Sequence, residues 1–167
     1  LKLSPETIAI LKNFAAINQS IQFRAGSIIK TKSGGGDLYA TANVAEVFPV
    51  NFAIYELGRF LNVMSLFTDP NLDFESESDS VLIGDGNNTV RYVFADSSLI
   101  KGANYDKAIK LPKTLAIFTL KQEHLAKLQR AASVLGMPTV TIAAKKGNLT
   151  VTSHDKKNTS SDKFNLS

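Results

Sequence analysis

Two segments of this chain, 117 residues apart, repeat one another, and the repeat limits the folds that the chain can form. Superposing Leu120 on Leu3 aligns six identical or similar residues within thirteen positions. The pairs are Leu3 with Leu120, Glu6 with Glu123, Ile8 with Leu125, Ala9 with Ala126, Leu11 with Leu128 and Ala15 with Ala132. Apart from the glutamates, these residues recur at helical spacing, and segments of strand composition follow each copy. The repeat predicts two similar units, each a helix followed by an antiparallel meander.

The first copy begins with a helix whose start is signalled by three consecutive residues. Ser4 is a favourable N-cap, Pro5 suits the first helical position, and Glu6 suits the positive end of the helix dipole. Apolar residues then recur every three or four positions, which predicts a helix to about Asn18.

Alternating apolar residues predict the strands, and glycine-rich or polar stretches predict the turns between them. In the first copy, strands are predicted at 21–24, 27–30, 38–44, 47–55, 72–75, 81–83 and 89–95, with turns at 33–37 and 84–88 and a second helix at 56–67. In the second copy, a helix from about residue 120 and strands at 139–143 and 149–153 are predicted. We therefore expect an α+β fold built of repeated strand–helix–meander units.

The repeat also predicts how the chain divides into domains. We expect a first domain at 1–110 with two repeat units, a connector at about 97–113, and a second domain at 111–167. Residue 167 corresponds to residue 50 of the first copy, where the second strand–helix–meander unit begins. The second domain is therefore expected to be incomplete, with one repeat unit, and a complete protein would be longer by roughly 60 residues.

Composition excludes most chemistry that depends on cysteine or histidine. The chain has no cysteine and only His124 and His154, so disulfides, thiolate catalysis and cysteine-based metal sites are excluded. Its net charge of +4, from 19 Lys+Arg and 15 Asp+Glu, permits a polyanionic partner. No apolar run has the roughly 18 residues of a membrane span, and no signal peptide precedes the first helix. We expect a soluble cytosolic protein without a membrane partner.

Three further patterns resemble functional sites but favour structural interpretations. Gly34–Gly36 lies between two strands and lacks the Lys-Ser/Thr pair and the following helix of a phosphate-binding loop, which favours a hairpin turn. The acidic residues of 73–79 alternate, which favours one solvated strand face over a calcium loop. His124 has no second histidine or serine motif near it, which favours a surface residue. No catalytic residue, metal ligand or cofactor is predicted.

Basic residues of the predicted helices face away from the apolar stripes. They are Lys12 in the first helix, Arg59 in the second, and Lys121, Lys127 and Arg130 in the third. Two interpretations fit them: an ordinary solvated helix surface, or contacts with phosphate groups that are independent of base sequence. No aromatic residues alternate with these charges, and no cluster of Arg, Asn and Gln is present. A nucleic-acid partner would therefore be a duplex contacted at its backbone.

Several segments of the chain resemble one protein family. They are Lys2-Leu3-Ser4, Thr7, Leu11-Lys12-Asn13-Phe14-Ala15, Ile17-Asn18, Ala53-Ile54-Tyr55-Glu56-Leu57, Phe60-Leu61, Ser65-Leu66 and Ile83-Gly84-Asp85. Together they resemble the T4-type bacteriophage DNA polymerase sliding clamps, densely over residues 1–18 and 52–66 and in pattern over most of the chain. That family is built of repeated strand–helix–strand units in two similar domains, which agrees with the 117-residue repeat.

The resemblance implies a DNA-clamp fold, with helices on the inner face of a ring and sheets outside. It implies a homotrimer that encircles duplex DNA and tethers the phage DNA polymerase for processive synthesis. It also implies an ATP-driven clamp loader and the late transcription machinery as partners, in the cytoplasm of the infected bacterial host. Such a clamp is not an enzyme. Because part of the second domain is expected to be missing, we expect these 167 residues alone to close a ring poorly.

The resemblance also assigns roles to particular residues. Lys12, Arg59, Lys121, Lys127 and Arg130 become candidates for DNA binding, and Leu99, Ile100 and Tyr105 of the connector become candidates for partner binding. Two other functions fit the residues alone. One is a β-rich structural or interaction protein of a virus, with basic residues that only keep it soluble, and the other is a small hydrolase whose site the sequence does not reveal.

Overall fold

In the computed structural model, helix α1 spans Pro5–Ile17 and begins and ends where the sequence predicts. The Ser4 hydroxyl caps its start by accepting a hydrogen bond of 3.2 Å from the Thr7 amide. At its end, the Asn18 amide donates to the Phe14 carbonyl at 2.9 Å, and Asn18 itself has extended backbone angles. The buried side of the helix consists of Thr7, Leu11 and Phe14.

The structure describes residues 1–75, 79–106, 113–114, 117–145, 148–158 and 163–166. The chain divides into two units, Leu1–Ala108 and Ile109–Ser167. We call them unit 1 and unit 2.

Unit 1 continues from α1 through strands and one further helix. The elements are β1 (Ile21–Phe23), β2 (Gly26–Lys32), β3 (Tyr39–Phe48), β4 (Phe52–Ile54), α2 (Leu57–Met64), β5 (Asn71–Asp73), β6 (Ser80–Gly84) and β7 (Thr89–Val93). All strand pairs are antiparallel: β1 with β4, β2 with β3, and β6 with both β5 and β7. The predicted turns at 33–37 and 84–88 connect β2 to β3 and β6 to β7.

Three local predictions for unit 1 are wrong. The strand predicted at 47–55 is interrupted after residue 48: β3 ends at Phe48, β4 begins at Phe52, and Pro49 between them has no amide hydrogen to donate to a neighbouring strand. The helix predicted at 56–67 is shorter, since Glu56 is its N-cap and Ser65 its C-cap. Asp73 and Asp79, two of the acidic residues of 73–79, do not share one strand, because β5 ends at Asp73 and β6 begins at Ser80.

The core of unit 1 lies between its two helices and its sheets. Helix α1 packs against α2, β2 and β3, and α2 also packs against β6. Leu11 of α1, Leu57 of α2 and Ile83 of β6 are each fully buried in one apolar cluster. A group of phenylalanines extends this cluster, with the rings of Phe23 and Phe52 stacked at 4.4 Å between centroids.

The first helix or strand described in unit 2 is a helix that matches α1. Helix α3 spans Gln122–Val134 and has 13 residues like α1, and their first residues, Gln122 and Pro5, are 117 positions apart. Leu128, the counterpart of Leu11, is likewise buried. Strands β8 (Thr139–Lys145), β9 (Asn148–His154) and β10 (Phe164–Leu166) form an antiparallel sheet in the order β8-β9-β10. The sequence predicts the first two of these strands but not β10.

No helix in the described ranges is long and apolar enough to span a membrane.

Candidate nucleic-acid and partner interfaces

Lys12 and Arg59 are exposed on the two helices of unit 1. Lys12 follows the buried Leu11 on α1 and lies on the solvent side of that helix, with the small Ala9 and Ala16. Arg59 is exposed near the start of α2. In the described part of the chain, no carboxylate lies within the 4.0 Å ion-pair distance of either side chain. Both cations are therefore available to an anionic partner.

The three basic residues predicted for the third helix differ in their surroundings. Lys121 is the N-cap of α3, and its Nζ lies 4.0 Å from the Glu123 carboxylate, which partly neutralises it. Lys127 and Arg130 are exposed further along α3 and have no carboxylate within ion-pair distance among the described residues. They flank an apolar groove of about 380 Å³ that Phe164 of β10 also lines.

Arg59 also lines a cleft of about 380 Å³ between α2 and β7, together with Tyr92. The Tyr92 ring meets the Phe60 ring edge-on at 5.2 Å between centroids. Burial raises the pKa of Tyr92 above its ordinary value, while the charge of Arg59 acts in the opposite direction. Strand β7 forms the outer edge of this region, because β6 is its only paired neighbour among the described strands.

The three predicted partner-binding residues have different environments. A 3₁₀ turn at Ser97–Leu99 opens the connector, and the Asp96 carboxylate caps it by accepting from the Ser98 amide at 2.8 Å. Leu99 is 71% exposed, whereas Ile100 is only 6% exposed and packs into unit 1. Of these two adjacent apolar side chains, Leu99 is therefore the one exposed to solvent.

Tyr105 is half-buried against the sheet rather than open to a partner. Its hydroxyl donates to the Gln22 carbonyl at 2.9 Å and accepts from the Lys30 amide at 3.0 Å. The neighbouring Asp106 accepts two hydrogen bonds from the Arg24 guanidinium, at 2.5 and 2.7 Å. Sequence reasoning missed Gln22, Arg24 and Lys30. The opposite charges of Arg24 and Asp106 are compatible with an ion pair, but 82 residues separate them, so the sequence does not show that they meet.

The patterns that imitate catalytic or metal sites have structural roles here. Gly34–Gly36 lies in the β2–β3 hairpin, which the Ser33 amide closes by donating to the Leu38 carbonyl at 2.9 Å. Asp79 pairs with Arg91 at 2.7 Å, and Glu77 lies outside the described residues. His124 is half-buried beside Glu123, 3.6 Å from its carboxylate. Within the described ranges, no group of three or more acidic or histidine residues is placed to hold a metal ion.

The fold defines the class of protein. The structure matches that of Proliferating Cellular Nuclear Antigen from Entamoeba histolytica with a TM-score of 0.63, over 96% of this chain and 69% of that chain, at 15% sequence identity. At that identity the match concerns the fold alone, and it is the fold of DNA clamps.

Sequence relatives identify the family within this class. The family model for DNA polymerase processivity factors matches residues 3–101. The sliding clamp of Enterobacteria phage T4 is 35% identical over 93% of this chain and 68% of its own length. Those of Vibrio phage KVP40 and Escherichia phage RB69 are 34% and 36% identical over 91% and 93% of this chain, and 69% and 68% of their own lengths.

The chain belongs to the family of DNA polymerase processivity factors, the sliding clamps. The resemblance and the fold class predicted from the sequence are thereby confirmed. Its function is that of a sliding clamp, with DNA and a DNA polymerase as partners, and it is not an enzyme. The hydrolase and the viral structural protein are therefore set aside. The relatives are phage proteins, so the chain is of phage type.

Proposed function

We propose that the basic side chains on the helices bind duplex DNA through its phosphates. The observation that supports this most directly is that Lys12, Arg59, Lys127 and Arg130 are exposed and lack a carboxylate within ion-pair distance in the described part of the chain. Lys121 is expected to bind phosphate more weakly than the others, since the Glu123 carboxylate lies 4.0 Å from its Nζ. Lysine and arginine contacts to phosphates carry no base information, so a clamp that uses them slides along any sequence.

Salt dependence of DNA binding tests these residues. In the triple variant Lys12→Gln, Lys127→Gln, Arg130→Gln, the slope of log K against log salt for a DNA duplex should become shallower by about 3, because each released phosphate contact contributes about 0.9. The matched control is Lys2→Gln, since the Lys2 ammonium is already paired with Asp69. A triple variant with the wild-type slope would contradict the assignment.

We further propose that the polymerase contacts unit 1 at the start of the connector. Leu99 supplies an exposed apolar side chain there, and the buried Ile100 anchors the turn beside it. Tyr105 contributes by holding the connector against the sheet rather than by direct contact. Loss of polymerase binding in Leu99→Ala, with unfolding unchanged, is the expected result, and wild-type affinity would contradict this surface.

We also propose the domain division that the sequence repeat predicts. Residues 1–110 form the first clamp domain and 111–167 the first repeat unit of the second. The equal lengths of α1 and α3 and the buried pair Leu11 and Leu128 support this division. Separate expression of residues 1–110 tests it: a cooperative unfolding transition is expected, and an unfolded fragment would contradict it.

Assembly and further partners are proposed from the family. The matched region covers 68% of the T4 sliding clamp, and at that clamp's length we propose a homotrimeric ring, opened by an ATP-driven loader and used by the late transcription machinery in the cytoplasm of the infected host. The outer edge of β7, which no other described strand pairs along Thr89–Val93, supports an interface in which a neighbouring copy adds a strand. Sedimentation of a T4 clamp that carries this chain in place of the matched region should show a trimer, and a monomer would contradict the ring.

A further inference from the structure

Strands β1 and β2 follow one another in the chain but are not paired with each other. Strand β1 pairs with β4, and β2 pairs with β3. The two strands meet at a junction where the backbone passes through Arg24 and Ala25 to Gly26, whose φ is +119°. A hydrogen-bond ladder does not cross this junction in the described part of the sheet.

One side chain of the connector bridges this junction. The Tyr105 hydroxyl donates to the carbonyl of Gln22 on β1 at 2.9 Å and accepts from the amide of Lys30 on β2 at 3.0 Å. A single hydroxyl thus satisfies one backbone carbonyl of β1 and one backbone amide of β2. The attachment of the connector and the closure of the junction therefore depend on the same group.

Neighbouring contacts fasten the rest of the segment 97–106. The Gln22 side-chain amide donates to the Ser97 carbonyl at 2.6 Å, near the start of the segment. At its end, Arg24 makes the two hydrogen bonds to Asp106, and the Arg24 guanidinium lies 5.3 Å from the centre of the Tyr105 ring. One end of the segment is therefore tied to Gln22 of β1 and the other to Arg24, the residue that follows β1, with Leu99 exposed between them.

We propose that Tyr105, with Gln22 and Arg24, is a positioning latch that holds the connector on the sheet and presents Leu99 to the polymerase. The proposal rests on the proposed function of this surface. A partner that binds a segment already fixed in place loses less conformational entropy on binding than one that must order a free loop. Releasing the latch should therefore weaken polymerase binding without removing any residue that the polymerase touches.

Tyr105→Phe is the variant that isolates the latch. It keeps the aromatic ring over Arg24 and Lys30 but removes both hydrogen bonds of the hydroxyl. Hydrogen–deuterium exchange of the Lys30 amide should become roughly tenfold faster, with faster exchange also across 97–106, as expected when a local attachment opens. Tyr55→Phe is the matched control, because Tyr55 is exposed and outside this junction. Exchange in the control should stay at the wild-type rate.

The binding arm uses the DNA polymerase of phage T4, whose sliding clamp is 35% identical to this chain. Tyr105→Phe should raise the Kd about three- to tenfold, the cost of ordering a released segment. Leu99→Ala should also raise the Kd but leave the exchange of the Lys30 amide unchanged. The midpoint of global unfolding should remain close to wild type in both variants, since the latch opens locally.

The outcomes separate the latch from the function on which it rests. Wild-type exchange of the Lys30 amide in Tyr105→Phe would overturn the latch itself. Faster exchange with unchanged polymerase affinity would overturn its positioning role. If the wild-type chain does not bind the polymerase at all, the proposed partner surface fails and the positioning role fails with it, while the exchange result still decides whether Tyr105 fastens the connector.

Discussion

The Thr7 hydroxyl in the first turn of α1 donates a hydrogen bond of 2.5 Å to the Glu46 carboxylate on β3, 39 residues away. The Ser4 amide donates to the other carboxylate oxygen. Burial acts against the charge of Glu46, but these hydrogen bonds outweigh it and hold its pKa below the ordinary value of 4.5. A negative charge at this place also suits the positive end of α1. The contact thus fixes the helix that carries Lys12 against its sheet.

Glu46 should make the stability of unit 1 depend on pH in acid. Because the pKa is lower in the folded state, the charge of Glu46 stabilises the fold fully above pH 4.5 and progressively less as the pH falls through the folded pKa. Glu46→Gln should lower the free energy of unfolding by about 1 kcal/mol at pH 7, and the difference from wild type should shrink towards pH 3. Urea unfolding between pH 3 and 7 measures this, with the exposed Glu75→Gln as control. A difference that does not change with pH would contradict it.

The features that the sequence predicted correctly depend on neighbouring residues or on the repeat. The start of α1 depends on Ser4 and Pro5, which act on backbone groups within one turn, so its range is predictable from neighbouring residues. The break between β3 and β4 at Pro49 was missed because apolar residues on both sides share one strand-like composition. The 117-residue repeat located α3, because equivalent positions must meet equivalent packing.

The parts of the site that the sequence did not reveal depend on contacts between distant residues. Leu99 and Ile100 are adjacent apolar residues, and nothing local shows that one is exposed and the other buried. The Tyr105 hydroxyl bonds to backbone atoms of Gln22 and Lys30. Because backbone amides and carbonyls are the same for nearly all residue types, the sequence does not indicate these partners. The basic residues of the helices were identifiable from spacing, but the pairing of Lys121 with Glu123 was not.

The buried leucine of the second repeat copy should be as important to its unit as that of the first. Leu128 is 2% exposed and Leu11 is fully buried, so Leu128→Ala should cost about 2–5 kcal/mol in the stability of α3 and β9. Ala126→Ser is the matched control, since Ala126 and its counterpart Ala9 are both exposed. Hydrogen exchange resolved by residue measures the effect. Equal protection of α3 in the two variants would contradict the equivalence of the copies.

Substitution by alanine should have different effects on stability at two glycines. At Gly84 an added methyl group would overlap the Asn88 carbonyl and lie 2.8 Å from Thr89 Cγ2, so Gly84→Ala should destabilise the β6–β7 hairpin by about 1–3 kcal/mol. At Gly34 the same group meets nothing within 4 Å, and Gly34→Ala should be neutral or stabilising by up to about 1 kcal/mol. Thermal unfolding of both variants measures this. A large loss in Gly34→Ala would contradict the interpretation of Gly34–Gly36 as a simple hairpin turn.

The outer edge of β7, unpaired among the described strands, should be the place where the proposed ring is most easily broken. Val93 is 54% exposed on this edge strand, and a lysine there adds charge where a neighbouring strand would pair. In the T4 clamp that carries this chain in place of its matched region, Val93→Lys should raise the dissociation constant of the trimer at least tenfold. Sedimentation should then show a shift from trimer towards monomer. Val47→Lys is the matched control, because Val47 is 64% exposed on β3, away from this edge. An unchanged trimer in Val93→Lys would place the interface elsewhere, and equal dissociation in the control would show that the added charge acts through general repulsion.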